Sequence, residues 1–134
     1  MKTLITGHSA MDAIFDAVRL SGVVISGHVY KMSRPINSGK EDIVIIPLAL
    51  TSDQVQRGII NVNIHVPNLD LPGDQTQPNN KRLEEITEVV TAALDDQWRY
   101  DYNFTLDNAG LPARDQNGWY TNIRVEFNSF RKDI

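Results

Sequence analysis

Residues 60–66 alternate without a break. Ile60, Val62, Ile64 and Val66 fall on one side, and Asn61, Asn63 and His65 on the other. Successive side chains of a strand point to opposite faces, so the stretch predicts a strand with one covered and one wet face. The wet face carries amides and an imidazole. Such a face suits a scaffold or an assembly surface better than acid–base chemistry.

Other stretches follow the helical period. Met11, Ile14, Phe15 and Val18 make one apolar stripe and predict a helix over 9–20. Ser9 and Asp12 have capping-box spacing, and Gly22 is a stop signal. Leu83, Ile86, Val90 and Leu94 make the stripe of a second helix over 81–94, with Glu84, Glu85 and Glu88 on its outer side. The β-branched run 23–31 predicts a strand. The apolar run Ile43-Val44-Ile45-Ile46 predicts a strand over 42–50 buried on both faces. Pro47 removes a ladder donor, so it is expected at a bulge or an edge. A short connection at 51–53 makes 42–50 and 54–66 antiparallel neighbours.

Near the C-terminus, Trp98, Tyr100, Tyr102, Phe104 and Leu106 alternate with polar residues, as do Trp119, Thr121, Ile123, Val125 and Phe127. These predict two strands of a hairpin. The turn-rich segment 107–118 between them predicts an extended tip. The segment 67–80 holds three prolines and few apolar residues, and reads as a loop or arm. The predicted class is α+β: a mixed, mostly antiparallel sheet with two helices packed on one face, in the order α-β-β-β-α-β-β. Residues 1–134 make a single domain.

Composition narrows the chemistry. The chain has no cysteine, so disulfides, thiolate nucleophiles and Cys-based zinc sites are excluded. The net charge of −4 argues against a nucleic-acid binder. No stretch approaches the roughly 18 apolar residues of a membrane span. The N-terminus is too polar for a signal-peptide core, so synthesis in the cytoplasm is expected. His8, His28 and His65 show no helical metal spacing, and His65 is expected as a solvated or hydrogen-bonded surface imidazole within reach of Asp101 or Glu126. Ser38-Gly39-Lys40 lacks the upstream glycine of a phosphate loop. Asp95 and Asp96 are adjacent and cannot share a helix face. No catalytic, cofactor or metal residue is assigned, and no enzymatic activity is expected.

Three polar excursions remain, and each is a candidate contact with a neighbouring subunit or partner. The first holds Tyr30, Arg34 and Pro35; the second, the arm, holds Leu71; the third, the tip, holds Asp107, Asn108, Leu111, Arg114 and Asn117.

The chain resembles the small tail-completion and tail-terminator proteins of long-tailed bacteriophages. The resemblance rests on the order of its parts. An amphipathic helix precedes Gly27-His28-Val29-Tyr30-Lys31-Met32-Ser33-Arg34-Pro35, like the Gly-x-Val-Tyr strand that runs toward a proline in that family. A turn, the strand Glu41-Asp42-Ile43-Val44-Ile45, the strand 58–64, a helix and a terminal hairpin follow. The resemblance implies a non-enzymatic virion protein. It would form a ring with itself, often a hexamer, that caps the tail tube and meets the head connector, while DNA passes through without specific binding. It would act in the host cytoplasm during assembly and then in the virion neck or tail. Head-completion and tail-tube subunits are rival assignments within the same virion. A cellular ligand-binding protein or small enzyme is the alternative outside it.

Overall fold

The computed structural model describes residues 4–116 and 118–130. The elements are α1 (Gly7–Arg19), β1 (Val29–Lys31), β2 (Asp42–Leu50), β3 (Val55–His65), α2 (Asn80–Leu94), β4 (Gln97–Trp98), β5 (Tyr102–Asp115) and β6 (Gly118–Phe130). The strands form one sheet in the order β1-β2-β3-β6-β5-β4. Only β1 and β2 are parallel; every other pair is antiparallel. The expected α+β class holds, with the two-residue β4 added to the element order.

The alternation in β3 sets the layers. Ile60, Val62 and Ile64 are buried, and in register across β6 they meet Val125, Ile123 and Thr121. The helices supply the rest of that core: Ala10, Met11, Ile14 and Val18 from α1, and Leu83, Ile86, Val90 and Leu94 from α2. Helix α2 lies chiefly over β5 and β6, and α1 over β1 and β2. The sheet thus has one covered face and one face that no other element of the described residues covers. Val44, on the latter face, is nonetheless buried beside Tyr30 and Asn63. The two-sided burial expected from the continuous apolar run thus holds for 43–45, whereas Ile46 is half-buried and Leu48 exposed.

The start of α1 differs from the expected capping box. Its N-cap is Thr6, whose Oγ1 accepts from the Ser9 N–H at 3.1 Å. A β-region hydroxyl residue one position before the helix satisfies an orphan amide, and Thr6 holds that position where Ser9 lies inside the helix. The strand expected over 23–31 shrinks to 29–31. Residues 23–28 run close to β2, with Ile43 donating its N–H to the His28 carbonyl at 3.1 Å, but most of the run has no ladder partner. Pro47 sits beside a register shift between Pro47 and Ala49. It lies beyond the part of β2 that β1 covers, so both expectations for it hold.

The largest correction concerns 98–118. The expected strand 98–106 breaks at 99–101, where the Arg99 N–H bonds to the Tyr102 carbonyl at 2.8 Å and the chain reverses. Trp98 and Tyr100 are exposed rather than aligned with Phe104. The expected tip is instead ladder: β5 pairs with β6 from Tyr102 to Asp115. Nor does it protrude, because Ala113 lies level with Tyr120 and, through it, with His65 at the end of β3.

Candidate interaction surface

The turn-like sequence Asp107-Asn108-Ala109-Gly110 is spent inside a strand. Register shifts on either side of Asn108 give β5 two extra residues relative to β6. The Asn108 carboxamide oxygen accepts from the Gly110 N–H at 3.1 Å and from the Arg124 N–H at 3.3 Å. An Asn side chain that bonds the backbone two residues on usually makes a turn; here a second bond, from the neighbouring strand, turns it into a bulge. Gly110 has φ +130°, and a Cβ there would lie 3.0 Å from the Thr87 methyl and 3.1 Å from that of Thr121. Only glycine lets this bulge settle on α2. A groove of about 400 Å³ runs between them, with Thr87, Thr91 and Thr121 in its wall and Glu84 and Glu88 along the helix.

The open face of the sheet is dominated by amides. Asn122 donates to Asn63 at 2.8 Å, Asn108 to Asn122 at 3.4 Å, and Asn128 to Asn103 at 3.0 Å. Arg124 Nε donates to Asn61 at 3.4 Å. These residues are cross-strand neighbours, so the bonds fix side chains in rows rather than aiming them at one point. The wet face of β3 foreshadows Asn61 and Asn63. The β6 row was missed, although its polar positions alternate with Ile123 and Val125 and were readable in the same way.

At one end of this face stands His65. Its side chain, expected as a solvated or hydrogen-bonded surface imidazole, is only 12% exposed, with Nδ1 3.8 Å from an Asp115 carboxylate oxygen. Its ring lies 5.1 Å from that of Tyr120. Burial, reinforced by the positive charge of Arg34, lowers its pKa to about 4 against the opposing pull of Asp115 and Asp42. The imidazole is therefore neutral at physiological pH. Neither Asp101 nor Glu126 is its partner, because both lie toward the opposite end of the sheet.

The first excursion is tied down from within. Asp42 is buried, and its carboxylate accepts from Arg34 Nη1 at 3.3 Å, from the Ser38 hydroxyl at 2.5 Å and from the His28 N–H at 3.3 Å. Gly27 runs so close that a Cβ would meet Asp42 Oδ1 at 1.9 Å. Arg34 thus serves the loop that carries it. Tyr30 is half-buried on the open face, edge-on to His28 at 6.0 Å, and Pro35 is exposed. Glu41 and Arg82 join this loop to α2 at 2.6 and 3.0 Å, and the Arg82 hydrogen bond is the main reason the Glu41 carboxyl is held below its usual pKa.

The arm folds onto its own subunit. Leu69 donates to the Gln77 carbonyl at 2.9 Å, Leu71 bridges to Asp74, and Trp119 Nε1 donates to the Thr76 carbonyl at 3.0 Å. Arm and hairpin end, expected as separate excursions, form one structure, with Arg114 over the Trp119 ring at 5.5 Å. Asp107, Asn108, Leu111 and Arg114 follow one another along β5, far across the sheet from Tyr30, Arg34 and Pro35. Leu71 is exposed on the arm. Asn117 lies outside the described residues.

Among the described residues, no group of three His, Cys, Asp or Glu side chains is placed to hold a metal ion. No helix of the described residues is long and apolar enough to cross a membrane. A scan against protein-family models matches none, and a search of characterised proteins finds no match.

Proposed function

We propose that this protein is a non-enzymatic assembly subunit of a long-tailed bacteriophage or prophage. In this reading it forms a ring with itself at the head–tail junction, where it completes or terminates the tail. The observation that carries the reading is the open sheet face. Its asparagines are locked to one another across three strands instead of converging on a pocket. Fixed hydrogen-bonding groups, most of them amides, spread over a sheet suit contact with another large surface. The order of helix, Gly-x-Val-Tyr strand and terminal hairpin adds the resemblance to tail-completion and tail-terminator proteins. The negative net charge suits a channel through which DNA slides without being held.

Multi-angle light scattering and negative-stain electron microscopy of the purified protein test this. Discrete closed rings are expected. A protein that stays monomeric at high concentration, alone and with a tail-tube protein from the same phage or prophage, would overturn the proposal.

A further inference from the structure

The β-branched run at 23–29 is only partly used by the sheet. Val23, Ile25, Gly27 and Val29 are half-buried and Val24, Ser26 and His28 exposed, which is the alternation of a strand. Yet within this run only Val29 pairs with β2, and no strand of the described residues lies on the other side of β1. The run is nonetheless held extended. Gly27 donates its N–H to the Glu41 carbonyl at 2.8 Å, Ser26 and Glu41 each bond the other's N–H through a side chain, and the Val24 carbonyl accepts from Arg82 Nη2 at 2.6 Å. Residues of such a strand alternate bonding sides. His28 and Met32 bond to β2, so Val29 turns its N–H and C=O to the open edge.

Beside this run lies a groove of about 580 Å³, bounded on its other side by Phe15 and Arg19 of α1. Its apolar lining is Phe15, Val23, Ile25 and Val29, all at the margin of the core. The neighbouring charges are engaged: Asp12 holds Lys31 at 2.5 Å, and Glu41 holds Arg82. Arg19 is exposed, lies 5.7 Å from the centre of the Phe15 ring, and forms no ion pair among the described residues. An apolar slot, an unpaired cation and open strand backbone thus meet in one place.

We propose that this groove receives an extended segment of a partner protein that carries an aliphatic side chain and, two residues away, a carboxylate. Residues two apart share a face of an extended chain, so both side chains would enter the groove together. The segment's backbone would add to the outer side of Val29, as in strand addition at a sheet edge. Its aliphatic side chain would fill the slot between Phe15 and the 23–29 wall, and its carboxylate would accept from the Arg19 guanidinium in a charge-assisted hydrogen bond. A basic segment would bring like charge against Arg19 instead. The run is already extended, so the ordering cost falls on the partner alone. The open edge is short, which leaves the slot and Arg19 to set affinity. This site does not depend on the ring proposed above.

Selection of an mRNA-displayed library of random peptides on the full chain supplies the probes, and fluorescence anisotropy measures their affinity. Enriched peptides should carry Val, Ile or Leu with Asp or Glu two residues away. Arg19→Glu changes an exposed side chain, and circular dichroism should show the variant folded. It should weaken those peptides by roughly tenfold or more, the loss of one charge-assisted contact. Lys in place of the peptide's acid should restore binding to the variant. Failure to enrich any peptide, a basic consensus, or affinities indifferent to Arg19→Glu would overturn the inference. Binding of decanoate in the absence of any peptide binding would also overturn it, and would make the groove a site for a small amphipathic anion. None of these outcomes bears on the ring, which is read by mass.

Discussion

Two side chains at the Asp42 end of the sheet make the protein sensitive to acid and to small substitutions. His65 has its pKa lowered to about 4 from 6.5. Between those values the unfolded chain binds a proton that the folded chain refuses. Stability from this group is thus complete above pH 6.5 and is lost as pH falls toward 4, by on the order of 2 kcal/mol once screening by nearby water is allowed for. Chemical denaturation at pH 7.5, 5.5 and 4.5 should show that loss, and His65→Gln should flatten it. Glu41, held low by Arg82, loses its contribution only further down, as pH drops through its lowered value, so an acid slope should survive in the variant. Asp42 acts differently. Its carboxylate holds Arg34, Ser38 and the His28 amide. Asp42→Ala would strand a largely buried guanidinium and should cost about 3–5 kcal/mol. Asp42→Asn should cost less, because it keeps one acceptor. Urea titration of both variants measures the difference.

At the scale of elements, burial explains which parts were legible. The α2 stripe of Leu83, Ile86, Val90 and Leu94 is buried as its period requires, and Ile86→Ala should cost roughly 2–5 kcal/mol in thermal or urea unfolding. The alternation of β3 was equally clear because one face is packed and the other is not. The reading failed where local chemistry and tertiary pairing disagree. Asp107-Asn108-Ala109-Gly110 has every mark of a turn, but β6 was already fixed against β3 from Tyr120 to Phe130, and its other edge needed a partner for the same length. The turn residues were absorbed as bulges. Trp98 and Tyr100 continued an apolar alternation that pairing did not honour, since Asp96, with φ +50°, and the 99–102 reversal turn the chain first. The bulge is itself testable. Gly110→Ala adds a Cβ at φ +130° against Thr87 and Thr121 and should cost more than about 1 kcal/mol. An equal loss from Gly39→Ala, where no atom lies within 4 Å, would show that the cost is not one of close approach.

For the molecule as a whole, the distal half of β5 has two separable duties. Inside the subunit it covers the outer edge of β6 and touches α2. Its outer side from Thr105 to Arg114 pairs with no strand of the described residues and carries the exposed Leu111. A short Asn-Gly turn in place of 108–117 cannot separate them, because Asp107 and Gly118 lie at different heights on the sheet and about six residues of strand, roughly 20 Å, must still be spanned. A Gly/Ser segment of equal length replacing 108–114 keeps that span and removes the ladder. Strand β6 should stay in place, because Ile123, Val125 and Phe127 remain buried and its pairing with β3 is untouched. The expected result is a folded, less stable chain, with its far-ultraviolet spectrum largely retained and its unfolding midpoint lowered. Its mass by light scattering should fall from the ring to the monomer. If the assembly persists with β5 unpaired in this way, the edge has no part in subunit contact, and the open asparagine face becomes the surface through which the copies meet.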